Sequence, residues 1–143
     1  MNALLIHNNI NNSGGAERVA VSVLALLKHM GFKVTVLSSG HVEWGRICRS
    51  FRYKLDEIKP EREIPLNANN FDAYKIAEGP YTILARQSYD IIISTYTETE
   101  RGFADISYIH YPYLYGLKEE REKFYNSNLW RLYYTPYHMI HAQ

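Results

Sequence analysis

Gly14-Gly15-Ala16-Glu17-Arg18 is the string whose residue types and spacing best suit ligand chemistry. A glycine pair ahead of a helix lets a ligand come close to the backbone, because no Cβ stands in the way. The helix start adds unpaired N–H groups and partial positive charge, which suit a phosphate. The string is not G-x-G-x-x-G, and the P-loop lysine is missing, so neither a dinucleotide enzyme nor a P-loop NTPase is favoured. A plain tight turn would use the same glycines, and that reading stays open. His110 is the second candidate. It closes the apolar run from Ile106 and precedes Tyr111-Pro112, where strand pairing ends. An imidazole at such a strand end can hydrogen-bond a ligand hydroxyl or oxygen. Arg46, Arg49 and Arg52 form the third group, spaced by three so as to lie near one helical face. With Trp44 and Phe51 nearby they could meet a membrane surface or a lipid phosphate. The plainer reading is a solvated face balanced by Asp56, Glu57, Glu61 and Glu63.

Other chemistries find less. His138 and His141 could share a helical face, but no Cys or carboxylate stands nearby, so no metal site is expected. Cys48 has no evident base, which argues against a nucleophile. There is no Gly-x-Ser-x-Gly elbow, so a hydrolase is disfavoured. Tyr108, Tyr111, Tyr113 and Tyr115 could stack on a ligand, though ordinary packing explains them as well.

The elements that must hold these residues are legible in outline. Ala3-Leu4-Leu5-Ile6 reads as a strand buried on both faces, ending in a cluster of turn formers, His7 to Gly15. Val19, Val23, Leu26, Leu27 and Met30 recur with helical period, and Val21 and Leu24 widen that face. Gly14 then serves as N-cap, with Glu17 at N3 as half of a capping box, and Gly31 stops the helix. Val34 to Leu37 is a second strand, which completes one βαβ unit. Val42 to Phe51 has helical character. Residues 55–70 are polar, with at most a short strand near Ile64. Phe71 to Gln87 reads as helix interrupted at Gly79-Pro80, with Pro80 a candidate first residue of a second piece. Strands follow at 90–94 and 105–110, then helices at 117–124 and from Asn128. Strands alternating with helices predict an α/β fold: a single Rossmann-like domain with a mostly parallel sheet. Ligands of such sheets bind outside the carboxyl ends of the strands. The Asn/Gly loop, Ser38-Ser39, Ser94 to Glu100 and His110 all fall there.

Composition agrees with one folded domain of 143 residues, with 46% hydrophobic and 22% charged residues, enough to bury a core without disulfides. Sixteen Lys and Arg against fifteen Asp and Glu give a net charge of +1, so no global field points to nucleic acid. A single cysteine suits a reducing compartment, and the N-terminus lacks the basic region and cleavage site of a signal peptide. No apolar run reaches membrane-spanning length, so a cytoplasmic location is expected.

The segment MNALLIHNNINNSGGAERVAVSVLALLKHMGFKVTVLSS resembles the start of GT-B glycosyltransferases of family GT4, and GGAER resembles their helix opening. YDIIISTYTET followed by ISYIHYP is similar to the middle of the same domain, and YIHYP most resembles mannosyltransferases that extend lipid-linked oligosaccharides. The likeness spans about residues 3–112; residues 41–89 match only in outline. It implies the N-terminal, acceptor-side domain of a retaining transferase that moves a hexose, mannose the first candidate. The donor would be a nucleotide sugar and the acceptor a glycan or lipid-linked glycan. Gly14, Gly15 and His110 would contact these substrates, and Arg46, Arg49 and Arg52 a lipid or phosphate at a membrane surface. No metal or other cofactor is implied, and no Asp-x-Asp occurs. The family's second Rossmann-like domain, which holds most nucleotide contacts, has no counterpart in these residues. The chain is therefore expected to be inactive alone and to need a second domain or subunit. A non-catalytic binding or assembly module is the alternative.

Overall fold

The computed structural model describes residues 1–67, 78, 80–96 and 104–108. The expected positions of His110, Tyr111, Tyr113, Tyr115, the helices after residue 116, His138 and His141 lie outside these residues.

The first strand, β1 (Asn2–Ile6), is apolar on both faces because both faces are covered. Helix α1 (Gly15–His29) returns the chain to β2 (Lys33–Ser38), which lies parallel to β1 with Ala3 beside Val34 and Leu5 beside Val36. Gly31 ends the connection at φ +84°, a conformation that only glycine takes without strain. Two short helices, α2 (Trp44–Phe51) and α3 (Leu55–Ile58), lead to β3 (Arg62–Pro65). The chain then crosses to the other side of β1 for β4 (Ile91–Ser94) and β5 (Ile106–Ser107). The five strands are all parallel, in the order β3-β2-β1-β4-β5. This is a Rossmann-like α/β domain, as the alternation of strands and helices predicts.

Strand alternation divides the core. Ala3, Leu5, Val34 and Val36 pack with α1, α2 and α3 through Val21, Leu24, Leu27, Ile47 and Ile58. Leu4, Ile6, Leu37 and Ile92 face the other way, against Ala85 of the helical stretch 80–85. Glu78 and residues 80–85 have helical backbone, and Gly79, where the sequence sets the break, lies outside the described residues.

The face α1 buries differs from the expected one. Its buried residues are Glu17, Ala20, Val21, Leu24 and Leu27, while Leu26 and Met30 are each 57% exposed. Apolar residues cover more of α1 than one sheet can take up. The buried stripe is the one in line with Glu17, whose carboxylate lies beside His7 just after β1.

Candidate functional site

β2 lies on one side of β1 and β4 on the other, and the chain changes direction there. A crevice at such a switch point is where a parallel sheet receives a ligand. Three segments meet at it: residues 7–14 after β1, 39–43 after β2, and Thr95-Tyr96 after β4.

The asparagines of the first segment build a fixed loop. Asn9 caps a 3₁₀ turn (Ile10–Asn12), its Oδ1 accepting the Asn11 amide at 3.1 Å. Asn11 ties the loop to the next one: its Nδ2 donates to the His41 carbonyl and its Oδ1 accepts from the Glu43 amide, each at 2.8 Å. Ser13, at φ +57°, takes a left-handed conformation and turns the chain into the glycine pair.

The two glycines have different jobs. Gly14 is the N-cap of α1, and its amide donates to Glu17 Oε2 at 2.8 Å. A Cβ on Gly14 would lie 2.8 Å from that same oxygen. The chain's own carboxylate thus fills the position where an anion would meet Gly14. Gly15 is open: a Cβ there would meet nothing within 4 Å. A surface hollow of 380 Å³ runs from it along α1, lined by Arg18, Val19, Ser22, Val23 and Leu26.

Behind the glycines sits a buried polar group that the sequence patterns do not reveal. His7 follows β1 and is fully buried. Its Nδ1 lies 3.1 Å from Thr95 Oγ1, and its Nε2 lies 3.6 Å from Glu17 Oε1. Tyr96 meets the ring edge-on with centroids 5.2 Å apart. Thr95 and Glu17 are themselves at 5% exposure or less, as are Ser38 and Ser94 at the ends of β2 and β4. His7 beside Glu17 holds its carboxyl below the ordinary carboxylate range, against burial, which pushes it up; the Glu17 and Gly14 amides add to the lowering. Glu17 is thus an anion whose two oxygens face different partners. Thr95 is 88 residues from His7, so no local pattern could have paired them. The one available signal was a polar residue placed directly after a doubly buried strand.

The basic group stands apart from this crevice. Arg46 and Arg49 are exposed on α2, and Arg46 lies 3.9 Å from Glu43. Arg52 caps the helix at φ +62° and does not share its face. Trp44 is buried and Phe51 packs against the core with Arg18 over its ring, so neither aromatic accompanies the arginines outward.

Among the described residues no cluster of His, Cys, Asp or Glu could hold a metal ion, and no helix is long and apolar enough to cross a membrane. Fold and site together define a Rossmann-like α/β domain with a polar switch-point crevice. Compared with known proteins, the chain matches no family model, no curated protein and no solved structure.

Proposed function

We propose that this chain is the N-terminal, acceptor-side domain of a retaining glycosyltransferase of the GT-B fold, similar to family GT4. It would help move a hexose, mannose first among candidates, from a nucleotide sugar to a lipid-linked or other glycan. The observation that carries this reading is the open backbone at Gly15, set at the sheet's switch point at the start of a 15-residue helix. With no Cβ on Gly15 and open space where one would stand, a phosphate or acceptor oxygen has room to come close to the backbone there. His110, outside the described residues, would add a hydrogen bond to the sugar. A second Rossmann-like domain would supply the nucleotide contacts, since a transition state built between two domains needs both. Work at the cytoplasmic face of a membrane fits the exposed Arg46 and Arg49, acting by charge alone.

The test is an amide NMR titration of the full chain with nucleoside diphosphate sugars and with a lipid pyrophosphate glycan. Shifts centred on Gly15, Ala16 and the residues after β1 and β4 are expected. Saturating ligand without shifts there would overturn the reading. Sugar transfer by the chain alone would overturn the two-domain assignment. The alternative, a non-catalytic docking module, draws on Ile106 and Tyr108, half-exposed along and just after β5. It would be favoured by partner binding without any response to sugar nucleotides.

A further inference from the structure

We infer that His7 is a positioning residue: in its doubly protonated form it fixes Glu17, and through Glu17 it holds the Gly14 amide, in the Ser13-Gly14 peptide that leads into Gly15. The hydrogen bonds set out the argument. The Thr95 hydroxyl has the Ile6 carbonyl as acceptor at 3.4 Å. Its oxygen is then free to accept from His7 Nδ1, 3.1 Å away, and we assign a proton to that nitrogen. In the neutral ring that assignment leaves Nε2 bare.

Nε2 is buried without a hydrogen-bond partner among the described residues, and it faces Glu17 Oε1 at 3.6 Å. A lone pair facing a buried carboxylate is repulsive. A second proton on the ring turns the same contact into a charge-assisted attraction. Glu17 Oε2 meanwhile holds the Gly14 amide at 2.8 Å. With both oxygens engaged the carboxylate cannot rotate, and the peptide it holds keeps one orientation. With a neutral His7, Oε1 loses its partner and the hold on Gly14 loosens.

Among the described residues the charged and titratable groups facing the ring are few. Glu17 faces it from α1, and Tyr96 from the segment after β4. The adjoining end of β2, Leu37 to Ser39, carries no charge, and neither does the loop from Asn8 to Asn12. Glu17 is therefore the group that a protonated His7 acts on.

This inference rests on the reading of Gly15 as a ligand contact for its purpose, but its geometry can be tested without ligand. The full chain, labelled with ¹⁵N, would be followed from mildly alkaline to mildly acid pH. The His7 ring nitrogens report protonation directly, and the Gly14 amide reports the hold of Glu17. The Gly14 resonance should move in step with His7 Nε2, with slower amide exchange at the acid end. Glu17→Gln keeps an acceptor for Gly14 but removes the charge, and it should abolish that step in a folded chain. His7→Gln should abolish it too. A Gly14 amide that ignores the His7 titration, or a ring carrying its single proton on Nε2, would overturn the inference.

A second arm uses GDP-mannose, whose charge is constant over this range. Its affinity should rise as His7 gains its proton, and His7→Gln should remove roughly 3- to 10-fold at the acid end. If Gly14 follows His7 but neither GDP-mannose nor a lipid pyrophosphate glycan shifts Gly15, the positioning role stands and the reading of Gly15 as a ligand contact falls.

Discussion

At the amino edge of the sheet, carboxylates seal the strand starts. Asp90 Oδ2 accepts the Asn2 amide at 2.6 Å, Glu61 Oε2 the Val34 amide at 2.6 Å, and Asp105 Oδ2 the Ile92 amide at 2.8 Å. Each acid replaces water on one backbone N–H. Two also meet a cation: Lys28 lies 3.2 Å from Glu61, and Arg86 grips Asp105 with both nitrogens. Arg86 accordingly holds the Asp105 carboxyl below its usual range, against its slight burial, with the Ile92 amide assisting. At the carboxyl edge the pattern reverses. His7, Glu17 and Thr95 are buried beside one another, and Nε2 of His7 has no hydrogen-bond partner among the described residues. Strand ends do not require that arrangement. Burying a polar group without a full set of partners costs stability, so its position at the ligand edge points to a task other than folding.

The sharpest way to break this comparison is to remove Glu17. Glu17→Ala strips the Gly14 amide of its acceptor and leaves His7 facing a void. We expect a loss of about 2–4 kcal/mol in chemical denaturation, since a buried polar pair loses one member. A loss under about 1 kcal/mol would show that the carboxyl edge is no more strained than the amino edge. The acid limb gives a second check. The Glu17 carboxyl sits below its ordinary range in the fold. Its contribution is therefore present above the unfolded-state value and is lost as pH falls through the folded one. The melting temperatures of the parent and Glu17→Gln should differ at neutral pH and draw together only as pH falls below the ordinary carboxylate range.

Gly14→Ala comes next. The new Cβ would stand 2.8 Å from Glu17 Oε2. The carboxylate can yield only by giving up the Gly14 amide or its place beside His7. A loss of about 1–2 kcal/mol is expected, the usual scale of a lost cap. In the double variant Gly14→Ala, Glu17→Ala the two losses should not add, because both remove the same contact.

Glu61→Gln probes the amino edge and should do less. Its side chain is 44% exposed, and glutamine can still accept from the Val34 amide. Burial pushes the Glu61 carboxyl up, but the Val34 and Glu61 amides and Lys28 outweigh it and set it low. Exposure and solvent screening limit the expected loss to about 1 kcal/mol or less, smaller still at high salt. A cost equal to that of Glu17→Ala would erase the distinction between the two edges.

Much of this frame was legible from the sequence. β2 runs over Lys33–Ser38 and α1 over Gly15–His29, with Gly14 as cap and Glu17 at N3, where the turn signals set them. Long apolar runs bounded by glycine leave little choice. β3 was barely visible because Arg62–Pro65 is a half-exposed edge strand with a charged, proline-ended sequence. The helical turn Leu55–Ile58 was missed for its brevity. The buried stripe of α1 was misjudged, since Leu26 and Met30 fit an apolar face as well as Val21 and Leu24 do. The site was legible only by half. Local chemistry marked Gly14 and Gly15, but the pairing of His7 with Thr95 depends on β1 lying beside β4, which no local spacing encodes.

The smallest expected change in stability, and the one that best sharpens the contrast, is Gly15→Val. Gly15 has no positive φ to protect, and nothing stands within 4 Å of its missing Cβ. Valine at the first position of a helix costs little, because no preceding turn crowds its branches. The unfolding free energy should stay within about 0.5 kcal/mol of the parent, in contrast to Gly14→Ala one residue away. Ligand approach should suffer instead. The isopropyl group fills the open side through which a phosphate or acceptor oxygen would reach the Gly15 amide. Titration with a nucleoside diphosphate sugar or a lipid pyrophosphate glycan should therefore lose the response centred on Gly15 and Ala16. Unchanged affinity with normal melting would reduce Gly15 to a turn residue. A strongly destabilised variant would show instead that the open space beside Gly15 is needed by the fold.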